Sequence, residues 1–368
     1  MSDGVPLYRR IALWGSLITK LVGAWGLGWD IQWHMTIGRD SFWIAPHLMI
    51  YSSVTAGLVL AWGVLAYEWL RGIATTRGFR LAALGLVLVV LAAPIDDLWH
   101  RLFGLDVTLW SPPHLLALFG SAVSTLGCLL IATEVYSLRS WAGRSASLLA
   151  SALLYGGIRV TLDPSWLFAY SYGGILFHTF AILAALTLPL ALVTATRVTG
   201  LRWAPVFAVI LSFTVGIVGQ QVARAGFAII QPVSFIGDEV ARDASSPIAV
   251  GREIAEKNQA VPPPWALRLA LPLVPAALMA LADPRRRAGV AAIVYGVTVF
   301  TAYAWFLSTL PAYAPLTPTG VETAAALALT VAYGASGGLA ARWLSAQLVG
   351  APQPRAAGAV AELTSPGR

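Results

Sequence analysis

Two stretches of the chain repeat one pattern of metal-ligand side chains. The first is Asp30-x3-His34-x12-His47, and the second is Asp96-x3-His100-x13-His114. An Asp and a His four residues apart on a helix share one face and can meet. The second His of each set follows a Pro, in Pro46-His47 and Pro113-His114, where a new helix can open. Two imidazoles and one carboxylate, with coordination positions left over, suit Cu, Zn or Fe(II) rather than Ca or Mg. Each set can hold one ion, or two facing sets can share a dinuclear centre. Asp30, His34, His47, Asp96, His100 and His114 are the expected ligands.

The repeat is wider than the ligands. Asp30, Trp33, His34, Gly38, Asp40, Trp43 and His47 match Asp96, Trp99, His100, Gly104, Asp106, Trp110 and His114. A third copy keeps Asp163, Trp166, Gly174 and His178 but has Leu167 where the others have His. The offsets are 66 and then 67 residues, so three copies of one helical hairpin are expected. Trp33 and Trp99 are expected to pack around the ligands, and Asp40 or Asp106 to orient a His. Asp163 and His178 lack one ligand and are expected to support the other two tips. All five histidines and six of the 17 acids fall in these three tips.

Two other readings compete. Loop Asp residues can cap helices, Pro can open them and Trp belongs at a membrane interface. That accounts for Trp43, Trp110, Pro46 and Pro113 better than for the Asp/His pairs. Histidines 13 or 14 residues apart also suggest a bis-His haem on one helix. Here Gly, Asp and Pro interrupt the helix between them, which places both histidines at one membrane depth.

The elements that must position these residues are transmembrane helices. Only 11% of the 368 residues are charged, 58% are hydrophobic, and mean hydropathy is +0.73. A soluble domain carries about 25% charged residues. The composition excludes disorder, nucleic-acid binding and an ordinary soluble enzyme. Ten helices fit the apolar runs: roughly 12–37, 46–70, 81–103, 112–137, 146–162, 174–196, 203–226, 265–283, 288–309 and 321–343. The expected fold is all-α and polytopic. Residues 1–200 make three hairpins with polar outer tips, and 201–368 four further helices around a long outer loop at 227–264, which reads as a lid, a docking surface or a linker. Fifteen Lys and Arg fall on one side of this topology and five on the other. The positive-inside rule then puts both termini in the cytoplasm and the tips on the outer face of a cell membrane. The start, MSDGVPLYRR, reads as the lead into an uncleaved first helix.

Lys20, Arg159, Gln220, Gln221 and Arg224 fall within apolar helices, where charge asks for a function or a partner. Lys20 is expected to snorkel, and Arg159 to pair with Asp163 one turn on. The single cysteine, Cys128, rules out an internal disulfide or thiolate metal site. Phosphate loops, nucleotide Gly fingerprints and nucleophile elbows are missing.

The two triads resemble the copper-site signatures in the C subunit of copper membrane monooxygenases, the particulate methane and ammonia monooxygenases. That subunit has an Asp-x3-His-x12-His set, followed about 70 residues later by a set with Asn in place of Asp and a His-x13-His pair. Asp30, His34 and His47 match the first set. His100 and His114 match the second, with Asp96 at the Asn position. The resemblance covers residues 26–115 and implies copper ligation, oxygen activation on a small apolar or membrane-soluble substrate, and other membrane subunits as partners. Against that family, this chain has more helices and a third repeat. The alternative is a non-enzymatic membrane protein that receives a metal for a partner enzyme, or the mouth of a transporter. A transporter should continue its polar path across the bilayer, and the inner halves of the first six helices carry little beyond Lys20 and Glu68.

Overall fold

The computed structural model describes residues 5–38, 41–103, 108–259 and 263–350. They form helices and turns, with no strand among the described residues. Hairpin one is α1 (Leu7–Thr36) and α2 (Ala45–Leu70); hairpin two is α3 (Arg77–Phe103) and α4 (Pro112–Val135). Next come α5 (Trp141–Leu162), the short α6 (Ser165–Tyr172), a 3-10 turn at Gly174–His178, and α7 (Thr179–Thr199). The remainder is α8 (Ala204–Ile230), α9 (Ile236–Arg242), α10 (Pro247–Lys257), α11 (Trp265–Leu281), α12 (Ala288–Ser308) and α13 (Gly320–Val349).

The protein is an all-α polytopic membrane protein. Nine of its described helical stretches are long and apolar enough to cross a bilayer. The tenth expected span, α11, has 17 residues and carries Pro272 and Pro275 inside it. Many side chains on these helices are apolar and outward-facing, as Trp62, Trp69, Leu84 and Leu98 are, which fits lipid rather than water around them.

Helices α3 and α4 approach closely because small residues line their seam. A Cβ on Gly85 would overlap the backbone of Gly120 and Ser124, and one on Gly127 would overlap Ala82. Without side chains in the way, the two backbones pack at a distance that larger residues forbid. The first turn of α3 has its N–H groups satisfied from α4. Arg77 N and Gly78 N both donate to the Glu134 carboxylate at 3.1 Å. On hairpin one, the Arg9 guanidinium and Glu68 form a buried pair at 2.7 Å, and Tyr8 donates to the same carboxylate oxygen at 3.0 Å.

Two arginines tie helix ends together away from the tips. Arg197 donates to Ser345 Oγ and to the Arg285 carbonyl, and Arg202 to the carbonyls of Ala280 and Leu281. One core cluster joins residues of α1–α5 with Val198 of α7 and Leu348 of α13, and a second joins α5, α7, α8, α11, α12 and α13. Helix α7 therefore packs across residue 200 against α12 and α13.

The described part of the segment 227–264 is more structured than a loop. Helix α8 runs on to Ile230, and α9 and α10 follow. Ser246 caps α10 by accepting from Ala249 N at 3.3 Å, and Pro247 opens it.

Candidate metal centres

At about 1.5 Å per residue, the 30 residues of α1 span about 45 Å, well beyond the roughly 30 Å of bilayer hydrocarbon. Asp30 stands six residues before the last residue of α1, and Asp96 seven before that of α3. Both carboxylates are therefore near the edge of the span. Their helices bring His34 and His100 up on the same faces. The following helices, α2 and α4, deliver His47 and His114 from their first turns, fixed by Pro46 and by Pro112-Pro113.

The two tips converge to nearly the same geometry. Asp30 Oδ1 lies 3.7 Å from His34 Nε2 and 3.1 Å from His47 Nε2. Asp96 Oδ1 lies 3.5 Å from His100 Nε2 and 3.3 Å from His114 Nε2. The two imidazole centroids are 6.3 Å apart in each tip. Within each triad, one donor atom per residue falls within 4.8 Å of the others. Metal–ligand bonds of about 2.1 Å put donors about 3.0 Å apart at right angles and about 3.4 Å apart on a tetrahedron. The observed carboxylate–imidazole separations, 3.1 to 3.7 Å, overlap that range. His34 stands 3.7 Å from its carboxylate, too far for a good hydrogen bond, and His100 at 3.5 Å is at the limit of one. They stand where two ligands of one ion would.

His114 carries a further constraint. Its Nδ1 lies 2.9 Å from the Thr108 carbonyl oxygen. A carbonyl only accepts, so Nδ1 holds the proton and donates it. That leaves Nε2, facing Asp96 at 3.3 Å, as the nitrogen carrying the lone pair in the neutral ring, the arrangement that orients metal-bound histidines. Thr108 has no side-chain signature for this role, because the acceptor is backbone.

Around the first triad, Tyr51 stacks near His47 at 5.7 Å and near Phe42 at 4.9 Å. Trp33 stacks on Phe227 of α8 at 5.8 Å, and Trp99 lies 4.3 Å from Phe103. Trp110 ties the second tip to α5 by donating to the Thr161 carbonyl at 2.6 Å. The expected orienting residues Asp40 and Asp106 lie outside the described residues. Helix α2 packs on α3, and His47 lies within electrostatic reach of Asp96, so the two tips are neighbours.

The third tip is built differently. Asp163 interacts electrostatically with Arg159, which also hydrogen-bonds Tyr303. Arg159, Tyr155, Tyr295 and Tyr303 pack together with Phe180 and Leu188. His178 stacks on Phe300 at 4.3 Å. Lys20 sits midway along α1 and donates to the Ser121 carbonyl at 3.3 Å, so it binds α4 rather than snorkelling. Gln220, Gln221 and Arg224 are exposed on α8.

Searches against family models, curated proteins and solved structures return no match to this chain.

Proposed function

We propose that this membrane protein is a metalloprotein binding transition-metal ions, copper first among them, at the Asp30/His34/His47 and Asp96/His100/His114 triads. The observation that carries this reading is the twofold convergence of a carboxylate oxygen and two imidazole nitrogens at ligand spacing. One carboxylate and two imidazoles suit Cu, Zn or Fe(II), and the resemblance in spacing to the copper membrane monooxygenases favours copper. Each set leaves coordination positions open, as a reactive rather than purely structural site does. Bound copper would supply one-electron and oxygen chemistry. The chain's own residues hold the donors at fixed depth: Asp30 and Asp96 from helix interiors, His47 and His114 from Pro-opened helix starts. The Thr108 carbonyl sets the tautomer of His114. By the positive-inside rule the sites face the outer side of a cell membrane, with both ends of the chain in the cytoplasm. On this reading the protein is an oxidoreductase of the membrane monooxygenase type acting on a small apolar substrate, with other membrane subunits as partners.

A second reading, delivery of a metal to a partner enzyme, is favoured by the partial exposure of the second triad. Metal analysis of the purified protein tests what the two readings share. Bound copper, iron or zinc that is lost in His34→Ala and His100→Ala supports it, and protein that binds no ion under any loading condition sinks it. Oxygen consumption coupled to product formation separates catalysis from delivery.

A further inference from the structure

The two triads have the same ligands but not the same surroundings. Side-chain exposure is 12% for Asp30, 12% for His34 and 11% for His47. For Asp96, His100 and His114 it is 22%, 15% and 21%. The segment after α8 is bonded to the end of α1 just beyond the first triad. Phe235 N donates to the Ile37 carbonyl at 2.7 Å, and Ser234 Oγ to the Thr36 carbonyl at 2.6 Å. Gly38, at φ 75°, lies so close to Ile236 that a Cβ there would come within 2.8 Å of Ile236 Cδ1. These contacts fall two to four residues beyond His34.

The same segment is tied down again at its far end, on the third tip. Tyr170 donates to Glu253 at 2.9 Å, and Lys257 donates to Tyr170 at 3.0 Å and pairs with Glu253 at 2.8 Å. Ala312 N donates to Asn258 Oδ1 at 2.9 Å, and Ile254 packs with Ala169, Phe177 and Tyr313. A segment fixed at both ends, with two short helices between, cannot move off the first tip without breaking one set of anchors.

We infer that residues 231–259 form a strap over the first triad, so that an ion there exchanges slowly, while the more exposed second triad exchanges faster with solvent or with a partner. The inference rests on the metal reading. It gives the pair a division of labour: a retained ion beneath the strap and an exchangeable one beside it. It also gives the third tip, which lacks one of the three ligands, a role as the far anchor.

Release kinetics test it, with Cu(II) as the probe. Purified full-length protein is loaded, and loss of copper to excess EDTA is followed by its ligand-field absorption. Two ions per chain leaving in two phases of equal amplitude are expected. The slow phase should vanish in His47→Ala and the fast phase in His114→Ala. Ser234→Ala combined with Ile236→Ala should speed the slow phase by about tenfold, the factor that one or two net hydrogen bonds are worth, and leave the fast phase unchanged. The wild-type trace decides the first half without any variant. Two ions leaving at one rate, a slow phase lost in His114→Ala, or a strap variant that moves both phases alike overturns the strap and leaves the metal reading standing. Binding of no copper, zinc or iron overturns the metal reading and the strap with it.

Discussion

Nε2 of His114 faces Oδ1 of Asp96 at 3.3 Å while Nδ1 of the same ring donates to the Thr108 carbonyl. In the neutral ring this sets two acceptors against each other, a lone pair against a carboxylate oxygen. A proton shared between ring and carboxylate relieves the repulsion, and so would a metal ion. The same carboxylate must also accommodate His100 at 3.5 Å. On the proposed reading, one ion placed between them would answer all three groups at once.

Removing that carboxylate should therefore remove an ion. Asp96→Ala is expected to lower the copper content from two ions per chain to one, and Asp30→Ala to do the same at the other tip. Groups that hydrogen-bond a metal ligand are worth about 10- to 100-fold in affinity. Loss of a direct ligand should cost more, so the site stays empty at micromolar metal. Mass-spectrometric metal analysis of each variant reads this out. Copper retained in full by Asp30→Ala/Asp96→Ala would contradict the assignment of both carboxylates.

The second site depends on a seam well below it. Gly85 meets Gly120 and Ser124 so closely that an added methyl has no room on either backbone. Gly85→Ala must push α3 from α4, and overpacking of this kind costs about 1–3 kcal/mol. Those two helices carry Asp96 and His100 on one side and His114 on the other. Gly85→Ala is expected to lower thermal stability and to weaken copper binding at the second triad while the first keeps its ion. Equal loss at both triads would mean that the seam supports the bundle as a whole.

Glu68 and Arg9 give a contrasting case at the far end of the bundle. Their side chains are 0% and 7% exposed. Truncating one partner strands the other charge in a low-dielectric interior, at a cost of about 3–5 kcal/mol. Glu68→Ala should lower the unfolding temperature markedly in a detergent thermal-shift assay, and Arg9→Met/Glu68→Leu should recover much of the loss. The refolded double variant should bind copper like the parent, since neither residue is near a triad.

The hydropathy of the chain is enough to read its spans, because a membrane helix satisfies its backbone internally and declares itself by length and composition. The triads are legible for a related reason. Ionisable residues are rare in such a chain, and the 66-residue repeat of Asp30/His34 at Asp96/His100 stands out. What pairs across long separations is not legible. Arg9 and Glu68 are 59 residues apart, and Trp110 finds a carbonyl 51 residues on. Thr108 acts through backbone, which leaves no mark in side-chain type. Helix α10 carries Arg252, Glu253, Glu256 and Lys257 within 11 residues, so its composition resembles a solvated loop. Only its anchors on Tyr170 and Ala312 show that it is held in place. Leu167, standing where a third His was expected, does mark in the sequence that the third tip departs from the other two.

The far anchor of the strap has a definite pH window. Hydrogen bonds from Lys257 and then Tyr170 hold the Glu253 carboxyl below its ordinary value. Glu253 in turn holds the Lys257 ammonium above its own. For the depressed Glu253, the stabilising contribution is present above the ordinary carboxylate pKa and is lost as pH falls through the lowered one. For the raised Lys257, it is present below the ordinary ammonium pKa and is lost as pH rises through the raised one. With ordinary values of about 4.3 and 10.4, the anchor should be unchanged between about pH 5 and pH 9. Metal release is a poor readout here, because protonation of the ligands themselves drives it. Amide hydrogen exchange of Pro247–Lys257, corrected for the intrinsic pH dependence, isolates the anchor. Protection of α10 is expected to stay flat across that window and to fall below it. Glu253→Gln should show the reduced protection already at neutral pH. Both groups are about half exposed, so the effect should shrink in high salt, where exposed ion pairs are screened. A protection step near pH 6.5 in α10 would place control of the strap elsewhere, on a histidine.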